Sequence, residues 1–271
     1  MDGNKLILVP GMFSTQEVFR GIVLEAAKAG IIVEVVDFPM SSGPEGYIYT
    51  GSCQLDFWDK LKFLLDFLRK QTCPYDLGGH SAGALLVLKV AEETEVNPGR
   101  IFLISPAPPK RIFGLYPSVI KSFFFVLKTP FFSSKSFRIT YQRFKWAMAN
   151  TISSEERLRR IYKNLRPESG KFIAQIGLAL LDKSNATLID FSRILCSIHM
   201  IVGSRDRVTP AGVAWAIKKI AQIEREGTPA EKFKVSCTEI KGDCHWLIEK
   251  RIPEIIAWFL DPRSIDNFLK P

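Results

Sequence analysis

A chain of 271 residues is long enough for one large α/β domain or two small ones. With 46% hydrophobic and 24% charged residues it can bury a sizeable core, which excludes a disordered or low-complexity chain. The net charge of +9 sits in one place: residues 110–192 carry 15 Lys/Arg against 5 Asp/Glu, a net of +10, and the rest of the chain is close to neutral.

The apolar run at residues 6–9 is too short for a secretory leader, and no stretch of 18 or more apolar residues is present, so no transmembrane segment is expected. Cys53, Cys73, Cys196, Cys237 and Cys244 are odd in number and follow no zinc or redox spacing. They read as reduced thiols of a cytoplasmic protein, and nothing asks for a metal or a cofactor.

In chain order, residues 5–9 (KLILV) read as a strand. A capping box at Ser14 and Glu17 opens a helix to about Lys28, with Gly30 just beyond its end. Residues 31–38 are β-branched and extended. Residues 55–69 repeat apolar positions at helical spacing. A short strand at 75–78 precedes a helix at 81–93, and a strand at 100–105 is ended by prolines. Within 110–192, helices are expected at 117–127, 138–150, from the Ser153–Glu156 capping box onward, and at 172–181. A strand at 197–203 follows. Thr209 and Pro210 open a helix to about Glu226, then come a strand at 233–240 and a closing helix at 246–260. Six strands alternate with helices, and several are apolar on both faces. Both facts predict an α/β fold with a mostly parallel six-stranded sheet covered by helices on two sides.

Gly79-His80-Ser81-Ala82-Gly83 forms G-x-S-x-G between a strand and a helix. In that context the turn projects the Ser81 hydroxyl off the sheet edge, and side chains at Gly79 or Gly83 would collide with the strand and helix. A serine hydroxyl needs a base. The chain has three histidines. His80 lies inside the turn, His199 lies mid-strand and reads as a core residue, and His245 lies in a polar loop after the last strand, where α/β sites assemble. Asp206, in the loop after the 197–203 strand, is the candidate carboxylate to orient that base; Asp243 is too near His245 in sequence to reach its ring. The N–H of Ala82 and the N–H of Met12, in the loop after the first strand, are the candidate oxyanion donors.

On these residues the chain resembles the α/β-hydrolase superfamily, in its serine hydrolase and esterase branch with a cap domain. The strand–GHSAG–helix unit, the VGSRDRVTP loop and the GDCHW loop stand in the family's order, as does the LVPGMF opening, with Pro10 where many relatives carry His. The resemblance implies a hydrolase core at residues 1–109 and 193–271 and a helical cap or lid at 110–192. It implies cleavage of a carboxylic ester through a Ser81–His245–Asp206 triad and an acyl-enzyme. The alternatives are a thioesterase acting on an acyl carrier such as acyl-coenzyme A, a carbon–carbon bond hydrolase, and a non-enzymatic binding or scaffold protein on the same fold. The expected partner is a small acyl substrate, amphipathic or anionic, with peripheral lipid contact through the basic segment. The phenylalanines at 123–125 and 131–132 either line an acyl pocket or pack the cap onto the body. No nucleic-acid-binding module is recognised.

Overall fold

A computed structural model describes residues 5–39 and 55–264; Cys53 lies outside them. Strands β1 (Lys5–Val9), β2 (Ile32–Val35), β3 (Tyr75–His80) and β4 (Arg100–Ile104) come from the first part of the chain. Two more, β7 (Ser197–Gly203) and β8 (Val235–Ile240), come from the last part. Together they form one sheet in the order β2-β1-β3-β4-β7-β8, every neighbouring pair parallel. The expected six-stranded parallel sheet is therefore present. The central strands β1 and β4 are buried along almost their whole length, as continuous apolar runs require. The edge strand β2 leaves Ile32 exposed.

The sheet is covered by two sets of helices. Helix α1 (Arg20–Lys28) packs against α9 (Leu247–Lys250) and α10 (Ile252–Leu260), and α2 (Phe57–Leu68) packs against α3 (Ala82–Val90). Helix α8 (Ala211–Arg225) lies on β7 and β8. Most elements are shorter than the sequence pattern, as with Ile32–Val35 within 31–38 and Tyr141–Ala147 within 138–150, and three further differences have a local reason. The first helix is capped by Thr15, not Ser14, and begins as a 3-10 turn over Gln16–Phe19, because the loop before it turns through a left-handed Phe13 at φ 63°. The closing helix is split at Arg251, ahead of Pro253, which cannot donate a helical hydrogen bond. Thr209 does not cap α8; its hydroxyl points into the loop before it.

Between β4 and β7 the chain forms α4 (Pro117–Leu127), α5 (Tyr141–Ala147), α6 (Glu155–Lys163) and α7 (Gly170–Gly177). Thr140, Ser154 and Ser169 cap the last three through their hydroxyls. A two-residue antiparallel ribbon, β5 (Ser136–Phe137) with β6 (Glu168–Ser169), ties the stretch before α5 to the stretch before α7. The ribbon has no sequence signature, being too short for an alternating pattern. No helix among the described residues is long and apolar enough to cross a membrane.

Candidate active site

The turn from β3 to α3 is made by Ser81 alone, at φ 56° and ψ −121°. It is held by main-chain bonds on two sides. The Ser81 N–H donates to Ile104 O at 2.9 Å, and its carbonyl accepts from Ala84 and Ala107 at 3.1 Å each. The flanking glycines are required by contact. A Cβ on Gly79 would stand 2.7 Å from the Ala84 nitrogen, and one on Gly83 would stand 2.6 Å from the Pro10 oxygen. The neighbouring strand β4 also ends in a left-handed residue, Ser105 at φ 46°. Phe13, Ser81 and Ser105 thus place non-glycine residues at positive φ beyond the C-terminal ends of three adjacent strands, β1, β3 and β4.

Asp206 and His245 meet across the loops after β7 and β8. His245 Nδ1 lies 2.8 Å from Asp206 Oδ2, and both side chains are buried. The other carboxylate oxygen accepts the N–H groups of Val208 at 2.8 Å and Thr209 at 2.7 Å. The Thr209 hydroxyl stands 2.9 Å from Asp206 Oδ2 and 3.1 Å from the Ser105 carbonyl. A carboxylate so held accepts the Nδ1 proton, which leaves Nε2 of His245 as the basic nitrogen. Neither that nitrogen nor the Ser81 hydroxyl has a hydrogen-bond partner among the described residues. Gly203, at the end of β7, is packed against the carbonyls of Asp243 and Cys244, so the two loops are locked together.

The remaining histidines have separate duties. His80 donates from Nε2 to the His245 carbonyl at 3.0 Å, and the two rings are 4.8 Å apart. Burial, with His245 nearby, pushes its pKa down to about 3, so it is neutral and braces the His245 backbone. His199 shares a 2.8 Å hydrogen bond with Ser236 in the sheet, with its pKa pushed down to about 4 by burial. Asp243 is fully buried against Lys250 and Arg251, the latter at 2.5 Å, and turns away from the imidazole. Cys196, Cys237 and Cys244 are buried free thiols and Cys73 is exposed. Burial pushes the Cys196 and Cys237 thiols up to about 12. Among the described residues no three His, Cys, Asp or Glu side chains converge as metal ligands.

The N–H groups of Ala82 and Met12 have no hydrogen-bond partner among the described residues, whereas their neighbours do. Ser14 N–H donates to Gly11 O, and Phe13 N–H donates to Glu168 Oε2 at 3.3 Å. Glu168 reaches down from β6 and is paired with Lys60 of α2 at 2.8 and 2.9 Å. Both are buried, and the Lys60 ammonium lies 3.9 Å from the centre of the Phe172 ring. Sequence reading found neither Glu168 nor Lys60, because they are 108 residues apart and neither lies in a motif. The structural roles of His80 and Thr209 were missed too: the first looked like elbow filler, the second like a helix cap.

Ser81, Ala82, Met12 and Thr209 open into a cavity of about 300 Å³. Its walls come from α4, α7 and residues 179–181, and no charged side chain lines it. The pocket reading of the phenylalanines fits two of them, and the ring contact of a third lies within residues 110–192. Phe123 and Phe132 line the cavity, Phe125 packs on Phe137, and Phe124 and Phe131 face solvent.

The sequence profile of the alpha/beta hydrolase family matches residues 6–247. No curated protein sequence matches the chain. Among solved structures it is similar to polyneuridine aldehyde esterase, at 18% identity and a TM-score of 0.64, over 96% of this chain and 98% of that one. A monoacylglycerol lipase from Paleococcus ferrophilus gives 18% identity and a TM-score of 0.64, over 96% and 95%. The thioesterase domain from the curacin biosynthetic pathway gives 12% and 0.60, over 96% and 92%. Identities this low establish the fold and leave the substrate open. The profile match spans nearly the whole sheet and both loops that carry Asp206 and His245: the chain belongs to the alpha/beta hydrolase family.

Proposed function

We propose that the protein is a serine hydrolase cleaving carboxylic esters with a long aliphatic acyl chain, residues 110–192 forming a cap over a core of residues 1–109 and 193–271. Ser81 is the nucleophile, His245 the base, and Asp206 the group that fixes the imidazole and stabilises its cation. The observation that carries the reading is that the Ser81 hydroxyl opens, beside two unpaired N–H groups, into a cavity walled only by uncharged and mainly apolar side chains. Such a lining holds a hydrocarbon chain and offers nothing to a charged one.

In this reading Ser81 Oγ attacks the ester carbonyl carbon while its proton passes to His245 Nε2. The oxyanion is met by the N–H groups of Met12 and Ala82, the latter at the positive N-terminal end of α3. Collapse expels the alcohol, which takes the proton from His245 and leaves acyl-Ser81. Water then gives its proton to the same nitrogen, attacks the acyl carbon and releases the carboxylic acid, and the proton returns to Ser81.

The test is a series of p-nitrophenyl esters of increasing chain length, run beside acyl-coenzyme A substrates and a fluorophosphonate label. Each methylene buried in the cavity contributes about 0.8 kcal/mol, so kcat/KM should rise about fourfold per methylene until the cavity is full. Ser81→Ala should abolish both turnover and labelling. Rates that fall with chain length, or labelling that survives Ser81→Ala, would remove the proposal. Faster turnover of the coenzyme A thioester at equal chain length would replace ester by thioester.

A further inference from the structure

The charge on residues 110–192 is not spread evenly. At least six of its fifteen cations are held in ion pairs within the molecule. Arg157 and Arg160 are held by Glu249, Arg159 and Lys145 by Glu155, Arg111 by Glu224, and Lys171 by Asp56. Lys128, Lys135 and Lys183 are exposed and have no ion-pair partner among the described residues. All three lie close along the chain to one apolar feature: Lys128 ends α4 after Phe124, Lys135 follows Phe131 and Phe132, and Lys183 follows Leu180 and Leu181. Phe113, Ile120, Leu180 and Leu181 line the cavity and are exposed at the same time, so they form its rim. Phe124, one turn along α4 from Ile120, continues that apolar face into solvent. Phe131, next to the cavity-lining Phe132, is 85% exposed and held at φ 53°. A non-glycine residue in that region costs about 1–3 kcal/mol, and here the strained turn holds a phenyl ring out in water.

We propose that this rim is a docking surface for an anionic lipid bilayer, with Phe124 and Phe131 entering the headgroup region and Lys128, Lys135 and Lys183 resting on acidic headgroups. Two observations select a bilayer over another partner. The patch combines bulky apolar tips with free positive charge, the pairing that binds a membrane interface. It also surrounds the mouth of an apolar cavity that reaches Ser81, so a hydrocarbon chain leaving the bilayer passes to the hydroxyl without crossing water. What enters the cavity rests on the esterase reading above; the docking itself does not.

The test therefore separates the two. Full-length protein is sedimented with vesicles of mixed phosphatidylcholine and phosphatidylglycerol, and with vesicles of phosphatidylcholine alone. Wild type and Ser81→Ala should sediment alike with the mixed vesicles and remain in solution with the neutral ones. Each of Lys128→Gln, Lys135→Gln and Lys183→Gln should lower partitioning about fivefold. Phe131→Ser and Phe124→Ser should each lower it about tenfold. All five variants should hydrolyse a short soluble ester as wild type does, because none of these side chains lines the cavity. Loss of that ester activity in wild type, with vesicle binding intact, would sink the esterase reading and leave the docking surface standing. No sedimentation with anionic vesicles would overturn the docking surface, and so would lysine variants that fall while both phenylalanine variants bind as wild type. A concentration-dependent dimer abolished by Phe131→Ser, without vesicle binding, would put a second copy of the chain on the rim and also overturn it.

Discussion

Replacing Lys60 by Met tests whether the buried pair with Glu168 secures the loop that carries Met12. The Glu168 carboxylate accepts four hydrogen bonds: two from Lys60, one from Phe13 N–H and one from Ser169 N–H at 3.0 Å. Lys60→Met removes half of them and all of the compensating charge, leaving an anion buried beneath the ribbon β5–β6. Breaking a buried pair from one side costs about 3–5 kcal/mol, an order larger than losing a surface pair. For a chain of this size that is a fall of about 10 °C in Tm. Met fills much of the Lys volume between Phe38 and Phe172, so little of the loss is packing. The double variant Lys60→Met/Glu168→Gln removes the stranded charge and keeps one amide oxygen for the Phe13 or Ser169 N–H. It should be about 2 kcal/mol more stable than the single variant. Urea unfolding of wild type, both single variants and the double variant completes the cycle. A double variant no more stable than Lys60→Met would mean that the unpaired carboxylate is not the source of the loss, and the reasoning would fail.

Other expectations follow from the same geometry. Asp206→Asn should lower kcat by about 10⁴, because the amide no longer fixes the Nδ1–H tautomer of His245. Asp243→Asn should leave kcat within a few-fold and act on stability by releasing Lys250 and Arg251. The reverse pattern in steady-state kinetics would make Asp243 the acid. The buried histidines set an acid limit on folding. His80 and His199 have pKa values pushed down to about 3 and about 4, below the ordinary 6.5, so the folded protein refuses protons that the unfolded chain accepts. Their stabilising contribution is complete above pH 6.5 and is lost as the pH falls below it, by about 2 kcal/mol each near pH 5. His80→Gln and His199→Gln should flatten that slope in denaturation curves measured from pH 7 to 5, and slopes parallel to wild type would refute the assignment.

What could be read from the sequence was local. The strand-like runs around residues 5–9, 100–105 and 197–203 needed no tertiary information, because strands buried on both faces are apolar on both faces. Gly79, Ser81 and Gly83 were legible because a strand must turn into a helix within one residue there. Asp206 and His245 were legible because each follows a strand. The parts that stayed hidden are set by contacts between distant segments. Glu168 looks like an ordinary surface residue until β6 is placed over Lys60, and Thr209 looks like a helix cap until Asp206 is seen to take its hydroxyl. The net charge was visible, but its pairing was not. Arg157, Arg159 and Arg160 form the densest basic cluster in the sequence, yet all three are committed to Glu249 or Glu155.

The three left-handed residues beyond β1, β3 and β4 bear on how this protein can change. Phe13, Ser81 and Ser105 each occupy a backbone conformation that glycine would adopt more readily, at a cost of about 1–3 kcal/mol apiece. A selection for heat resistance alone would therefore favour glycine at Ser81 and Ser105, but not at Phe13, whose buried ring would leave a cavity costing about 3–5 kcal/mol. At Ser81 that change would produce a tougher protein with no hydroxyl. At Ser105 it would loosen the turn beside it. A chain that kept the fold and gave up the chemistry would be free to relax the turns at Ser81 and Ser105, while Phe13 would stay for its packing.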